Sequence, residues 1–260
     1  MSKKGTNKAA NALNELRDMD ELASGNSPMH KLHPLVKLIV TIAYIYCVVS
    51  FSKYNLTGLF IMLIYPVLAF NIAGIKISTC FYKLRLVLPL VLMVGIFNPL
   101  IDGKAGVISM ITLMMKGTFS LMASFIMVAT TPIDGLCAAL RKIHVPSILV
   151  TLLLLTYRYI SVLIREVAIM TDAYKLRAPK QKGIAFNAWG SFLGQLLLRS
   201  MDKASELYNS MQLRAFKGEF FYASQRKVNG TDIVFLVVTL ACFVLARLFN
   251  ITEMIGGLVV

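Results

Sequence analysis

Long apolar segments with almost no charge are the feature that most restricts how this chain can fold. An α-helix needs about 20 consecutive apolar residues to cross a bilayer. Backbone N–H and C=O groups inside lipid must also be hydrogen-bonded within the segment, which favours helices. Five segments are close to that length, at about 35–52, 54–74, 84–101, 106–130 and 232–251. The chain is therefore predicted to be an all-α integral membrane protein.

Composition and charge agree with a membrane protein. Of the 260 residues, 57% are hydrophobic, which is more than a soluble domain of this size needs for its core. The formal net charge is +14. In a soluble protein this charge would point to nucleic acid, whereas in a membrane protein Lys and Arg collect in the cytoplasmic loops. We expect the lipid bilayer as a partner and no nucleic acid.

Residues 146–163 are apolar enough to form another span, and the distribution of charge argues against it. Many Lys and Arg residues lie between 165 and 227, and the N-terminal segment 1–34 and the 76–85 loop are also basic. Four spans precede this region. With the N-terminus inside, all the basic loops lie inside together only if 146–163 does not cross. We predict five spans, with the N-terminus inside and the C-terminus outside.

This topology divides the chain into four parts. A cytoplasmic N-terminal segment (1–34) precedes four transmembrane helices (35–130), and the last transmembrane helix and the C-terminus occupy 231–260. A cytoplasmic helical domain (131–230) is inserted before the last span. Its apolar face is expected to lean on the membrane or on the bundle. Three helices are predicted in this domain, over about 132–143, 147–177 and 187–216.

Two of these predicted helices end in the same short basic sequence. The two ends are Leu176-Arg177-Ala178 and Leu213-Arg214-Ala215. One arginine at a helix C-terminus is ordinary, because its charge favours the negative end of the helix dipole. Two such ends on the cytoplasmic side raise a second interpretation, in which each guanidinium holds carboxylates or carbonyls of a soluble partner in two-point contacts. The residues alone leave both interpretations open.

Other residues that carry chemistry are scarce. Lys116 lies deep in the fourth span, and a charge inside the membrane is a functional-site hypothesis; the alternative is a tilted helix or a lysine that reaches the outer surface. His30 and His33 have no Cys or carboxylate at ligand spacing, which favours a turn before the first span. The sequence has no ATP-binding phosphate loop and no nucleophile–base pair. We predict no catalytic residue, no metal site and no cofactor.

Two other classes of function fit the residues less well. A stand-alone secondary carrier is expected to have carboxylates or histidines inside its spans. The acids nearest the spans lie at their ends, at Asp102 and Asp232. A membrane-embedded enzyme is expected to have a cluster of His, Cys or carboxylate residues near one membrane face, and the sequence shows none. The stand-alone carrier is kept as the alternative function.

Three stretches of the sequence resemble a known transporter family. They are "SPMHKLHPLVKLI" (27–39), "TYRYISVLIREVAIMTDAYKLRA" (156–178) and "LLLRSMDKASELYNSMQLRAFKGE" (196–219). The second and third are similar to the coupling helices of the transmembrane (T) component of energy-coupling factor (ECF) transporters. Together the three stretches most resemble the cobalt-type branch, the CbiQ family, over about residues 20–250.

The resemblance implies a function and partners. The family's X-Arg-X motifs, commonly Ala-Arg-Gly, correspond to 176–178 and 213–215, with alanine in place of glycine in both. In the family these ends dock into two ATP-binding-cassette (ABC) ATPases, and the rest of the domain contacts a small membrane-embedded substrate-binding (S) component. ATPase motion then releases the substrate, a vitamin or a transition-metal ion with cobalt favoured, into a bacterial or archaeal cell. The chain itself is expected to be a non-catalytic subunit of the cell membrane.

Overall fold

The fold is known from a computed structural model that describes residues 4–51, 56–75, 77–85, 88–179, 183–216, 218 and 228–248. These residues form α-helices, one short 3-10 helix (Phe186–Ala188) and no β-strand, which confirms the all-α prediction. In chain order the α-helices are α1 (Lys4–Ala23), α2 (Pro28–Lys31), α3 (Pro34–Ser50), α4 (Leu56–Met62), α5 (Ile64–Ala73), α6 (Ile77–Leu84), α7 (Leu88–Thr130), α8 (Ile133–Lys142), α9 (Ser147–Arg177), α10 (Trp189–Leu213) and α11 (Gly230–Leu248).

Apolar helices dominate, as expected of a multi-pass membrane protein. Among the described residues, three helices are long and apolar enough to cross a bilayer, namely Gly106–Thr130, Ser147–Arg177 and Gly230–Arg247. Three shorter apolar helices accompany them, at Pro34–Ser50, Gly58–Ala73 and Pro89–Pro99. By length and composition α9 therefore qualifies as a span. The charge-based placement of α9 at the cytoplasmic surface stays a prediction, as do the count of five spans and their orientation.

The chain divides into two compact units. One consists of Met1–Glu21 with Leu140–Ala223, and the other of Leu22–Ala139 with Ser224–Val260. Helices α8, α9 and α10 begin and end close to the predicted bounds. The predicted ends of the first and fifth spans, at residues 52 and 251, lie outside the described residues, as does the predicted start of the second span at residue 54.

Helix α3 is the centre of the second unit. Its residues Val36, Val40, Tyr44 and Val48 are buried, and because they recur at every fourth position they lie on one face of the helix. Against this face pack residues of α7 and α11, including Phe243. The core of this unit is thus built around one continuous stripe of α3.

The predicted second span is divided into α4 and α5. Pro66 has no N–H, so the carbonyl of Met62, one helical turn earlier, has no donor within the helix. The buried Tyr44 hydroxyl donates to this carbonyl at 2.9 Å. The ring of Tyr44 is held by Tyr65 and Phe243, with centroid distances of 4.7 Å and 5.4 Å. A side chain from α3 therefore replaces the missing backbone donor, which is one way in which membrane helices tolerate proline.

Helix α7 consists of two antiparallel halves. Gly103 interrupts it with φ 56° and ψ −128°, a conformation that favours glycine. A Cβ atom on Gly106 would overlap the Asn98 carbonyl, and one on Gly117 would lie 2.9 Å from Val91 Cγ1. Glycine therefore allows the two halves to approach closely. These halves correspond to the predicted third and fourth spans.

Two regions outside the predicted spans contain additional helices. Residues 76–85, predicted to be a loop, include α6, in which Cys80 is fully buried. The prediction of a loop is wrong in its secondary structure. It was based on the basic residues of this stretch, and charge does not indicate whether a connection between two spans is helical. The N-terminal segment contains α1, and the Tyr157 hydroxyl of α9 donates to the Asp20 carboxylate of α1.

Candidate functional site

The two Leu-Arg-Ala sequences lie at the ends of long helices and face away from the protein. Leu176 is 84% exposed and Leu213 is 90% exposed. Arg177 and Arg214 are also exposed. Neither guanidinium forms an ion pair or a hydrogen bond with another residue that the structure describes. Each helix end therefore exposes a large apolar side chain and an arginine, and arginine is a residue type enriched at interface hot spots.

The end of α9 has an open backbone geometry. Arg177 is its last helical residue, and Ala178 follows with φ −128° and ψ 66°. The N–H of Ala178 still donates to the carbonyl of Tyr174 at 3.0 Å. Pro179 then prevents the helix from continuing, because proline has no N–H and restricts the residue before it.

The end of α10 has a different geometry. The helix ends at Leu213, and Ala215 adopts a left-handed conformation with φ 55°. Its N–H donates to the carbonyl of Gln212 at 2.9 Å, and the N–H of Phe216 donates to the carbonyl of Met211 at 3.0 Å. This pair of hydrogen bonds is a Schellman motif, whose left-handed position is usually glycine. The sequence similarity of the two ends therefore does not extend to their backbones.

Replacing Ala215 with glycine is expected to stabilise the protein by about 0.5–1 kcal/mol, because alanine is strained in the left-handed region and glycine is not. The matched change Ala178→Gly is expected to destabilise by a similar amount, since φ −128° gives glycine no advantage and glycine gains entropy in the unfolded chain. Thermal unfolding of the two purified variants in detergent measures this difference. Shifts of the same sign would contradict it.

Glu166 joins α9 to α10. Its side chain is 11% exposed, and its Oε1 atom accepts a hydrogen bond from Arg199 Nη1. The Lys203 Nζ atom lies 3.9 Å from Glu166 Oε2. Arg199 and Lys203 are one turn apart on α10 and so lie on one face of that helix. The sequence prediction missed this ion pair. The signal available in the sequence was a single acid, Glu166, in the stretch 147–171, which does not reveal its partner.

An open groove runs between α9 and α10. Half of its lining side chains are apolar, and the other half carry three hydroxyl groups and one amine. The lining residues are Leu155, Thr156, Tyr159, Leu163, Ser200, Lys203, Ala204 and Leu207. Large apolar side chains outside the groove are also exposed, and Leu152 and Leu197 are 61% and 62% exposed. Exposed apolar surface of this kind is typical of a contact with lipid or with another protein.

Lys116 contacts the end of a neighbouring helix. Its Nζ atom donates to the carbonyls of Val49 at 3.0 Å and Phe51 at 2.5 Å. These carbonyls belong to the C-terminal end of α3, where backbone acceptors lack donors from their own helix. The guanidinium carbon of Arg247 lies 5.1 Å from the centroid of the Phe51 ring. The structure thus gives Lys116 a capping role at one end of the bundle.

Lys37, which the sequence prediction did not single out, caps helices at the opposite end of α3. Only 2% of Lys37 is exposed. Its Nζ atom donates to the carbonyl of Thr130 at 2.7 Å and to that of His30 at 3.3 Å. Thr130 is the last residue of α7, and a positive charge at a helix C-terminus is stabilised by the dipole. The signal available in the sequence was a lysine inside the otherwise apolar run 35–52.

Asp232 is a second buried charge near the beginning of α3. It is fully buried in the first turn of α11, where an acid favours the positive end of the helix dipole. Its two oxygens accept hydrogen bonds from the backbone N–H groups of His33 at 3.1 Å and Asn229 at 2.9 Å. The carboxylate therefore ties the beginning of α3 to the beginning of α11.

The two histidines before the first span, predicted to lie in a turn, make local contacts in α2 and at the start of α3. His30 Nε2 donates to the carbonyl of Leu22 at 2.8 Å, and His30 Nδ1 lies 2.7 Å from the Ser27 hydroxyl. His33 is the N-cap residue of α3, and its Nδ1 accepts from the Leu35 N–H at 3.1 Å. Within the described part of the chain, His, Cys, Asp and Glu residues form no group of three or more suited to a metal.

A comparison with protein families identifies the chain. The family model described as CbiQ, cobalt transport protein, matches residues 25–226. The chain belongs to the CbiQ family. The match includes both Leu-Arg-Ala ends, Glu166 and Lys37, and it confirms the resemblance seen in the coupling-helix sequences.

Relatives of this CbiQ-family chain are transport components of several kinds. The chain is 30% identical over 193 residues to the cobalt transport protein CbiQ of Rhodobacter capsulatus, covering 69% of this chain and 78% of that protein. It is 24% identical over 225 residues to the energy-coupling factor transporter transmembrane protein EcfT of Leuconostoc gelidum, covering 74% and 81%. It is 28% identical over 116 residues to the nickel permease LarQ of Lactiplantibacillus plantarum, covering 45% and 42%. The CbiQ-family chain is thus a membrane component of a transporter family.

Proposed function

We propose that this chain is the transmembrane coupling subunit of an ECF-type ABC importer. In this role it passes the motion of two ABC ATPases to a membrane-embedded S component and catalyses no reaction itself. The observation that carries the proposal is the pair of exposed Leu-Arg-Ala ends on two helices that Glu166 joins. The relationship to EcfT, an energy-coupling factor transporter transmembrane protein, supports it.

Two ATPases are assigned because there are two helix ends. Each end has an arginine whose guanidinium is not engaged by another described residue, next to a leucine that is at least 84% exposed. Arginine suits a groove on a soluble partner because its planar fork forms paired hydrogen bonds to carboxylates or carbonyls. This role requires both ends to lie on the cytoplasmic side, in agreement with the predicted orientation.

The S component is assigned to the apolar surface of α9 and α10. The groove between these helices and the exposed leucines of the same helices offer apolar surface that suits another helical protein in the membrane. The alternative, a stand-alone carrier, requires polar side chains that converge inside the bundle. Lys116 is the candidate for such a side chain, and it caps α3 through two backbone carbonyls.

Cobalt is the favoured substrate. The family is described as cobalt transport proteins, and the Rhodobacter capsulatus relative has the same name. A relative named as a nickel permease makes nickel the first ion to compare with it, and a vitamin is the remaining class. The coupling subunit is expected to serve whichever substrate its S component binds.

Co-purification from native membranes tests the proposal. Tagged wild-type chain solubilised in detergent is expected to bring down two ATPase subunits and a small membrane protein, identified by mass spectrometry. The double variant Arg177→Ala/Arg214→Ala is expected to lose the ATPases. The control Arg158→Ala/Arg165→Ala removes the same charge from exposed positions of α9 and should keep them. Intact wild-type chain that purifies alone would make the proposal wrong.

A further inference from the structure

We propose that Glu166 is a positioning residue that fixes the crossing of α9 and α10 and therefore the spacing between Arg177 and Arg214. The proposal rests on the coupling function proposed above and adds to it the contact that sets the distance between the two helix ends. No ligand or partner needs to touch Glu166 for this role.

Glu166 differs from the other acids described in these two helices by its burial. Asp172 is half-buried and pairs with Lys175 on the same helix at 2.8 Å, and the remaining acids, Asp202 and Glu206, are exposed on α10. Among these four acids, Glu166 alone is both buried and placed between cations of the other helix. The side chains of Arg199 and Lys203 are 43% and 35% exposed, so water can solvate them when Glu166 is removed, whereas removal of both cations leaves the buried Glu166 carboxylate uncompensated. Either change removes the polar contact between the two helices at this point.

The ion pair lies well before both helix ends, so each helix has a lever arm beyond it. Glu166 is 11 residues before Arg177, and its partners Arg199 and Lys203 are 15 and 11 residues before Arg214. At a rise of about 1.5 Å per residue, the arm is about 16 Å long on α9 and about 16–22 Å long on α10. A change of about 10° in the crossing angle then moves each end by about 3–4 Å relative to the crossing point. The Glu166 contact therefore controls whether the two helix ends can bind at the same time to two ATPases that are a fixed distance apart.

The spacing can be measured directly in the full-length chain. Spin labels are attached to Leu176→Cys and Leu213→Cys, in a background where Cys47, Cys80, Cys137 and Cys242 are replaced by alanine. Double electron–electron resonance then gives the distribution of distances between the two ends. The parent is expected to give one narrow peak. Glu166→Gln, which keeps the size of the side chain and removes its charge, is expected to give a broad distribution.

A matched control and a rescue variant make the result decisive. Glu206→Gln removes an exposed carboxylate from α10 that forms no ion pair with a described residue, and it should leave the narrow peak unchanged. The exchange Glu166→Arg/Arg199→Glu keeps an attractive pair and should restore the peak. A narrow peak in Glu166→Gln, an equal broadening in Glu206→Gln, or no recovery in the exchange variant would each overturn the proposal.

A folding defect is handled by a second variant. If Glu166→Gln does not elute as a single species from size exclusion, Arg199→Gln/Lys203→Gln removes the same pair from the other helix and is expected to broaden the distribution in the same way. The distances are measured without ATPases, so they do not depend on the proposed docking. If Glu166→Gln loses the ATPases in co-purification but keeps the wild-type distance between the two helix ends, the role of Glu166 in spacing the ends is overturned. A changed distance with no ATPase ever recovered would make the proposed function wrong instead.

Discussion

Uptake of the transported ion is expected to stop when both Arg177 and Arg214 are replaced by alanine, while the protein stays in the membrane. Both side chains are exposed at helix ends and neither is engaged by a described residue, so their removal leaves the fold intact. Losing one arginine from a hydrogen-bonded interface contact typically costs about 2–5 kcal/mol of binding free energy. Two independent losses weaken ATPase docking by roughly a thousandfold or more.

Single and conservative variants should give graded results. Each single alanine variant is expected to retain reduced uptake, because one end still docks. Arg177→Lys/Arg214→Lys keeps the charge and loses the planar fork, so its uptake should fall between wild type and the double alanine variant. Radioactive cobalt accumulation in cells, normalised to the amount of protein in the membrane, measures the series, with nickel as the second ion.

The control for this series is Arg158→Ala/Arg165→Ala, which removes two exposed arginines from α9 and should keep near wild-type uptake. Normal uptake by the double variant of Arg177 and Arg214 would show that the Leu-Arg-Ala ends do not transmit the energy of ATP hydrolysis. Equal loss in both double variants would show that net positive charge, and not position, is what matters.

The membrane helices were predictable because they depend on local composition. Apolar length indicated the helix at Pro34–Ser50 and the two halves of α7, and the turn between those halves coincides with a glycine at residue 103. The division of the second span could be anticipated from Pro66. The donor that compensates for Pro66 is Tyr44 on α3, and this pairing depends on tertiary packing that no local pattern contains.

The polar contacts of the candidate site were less accessible to prediction. Arg177 and Arg214 were found because their helix ends share a sequence. Glu166 and Lys37 were missed, because the sequence shows a single charge in an apolar helix but does not show its partner on another helix. The alanines of the two ends read alike in sequence, yet only Ala215 of the two adopts a positive φ, because Pro179 stops α9 before a Schellman motif forms there.

Lys37→Met is expected to lower the stability of the protein more than the equivalent change at Lys116. Lys37 is 2% exposed and donates to carbonyls of Thr130 and His30, which cannot be removed with it. Methionine fills much of the same volume and donates no hydrogen bond. A buried acceptor left without a donor costs about 1–3 kcal/mol, so we expect a loss of about 2–4 kcal/mol.

Thermal unfolding in detergent, followed by size exclusion of the remaining folded protein, measures this loss. For a chain of this size each kcal/mol corresponds to about 2–4 °C, so the midpoint of Lys37→Met should fall by roughly 5–15 °C. Lys116 makes the same kind of contact at the other end of α3 but is only partly buried, so water or lipid headgroups can satisfy Val49 and Phe51 when it is removed. An equal or larger fall for Lys116→Met would show that burial does not set the strength of these lysine caps, and that the end of the bundle near Lys116 is the more strongly stabilised one.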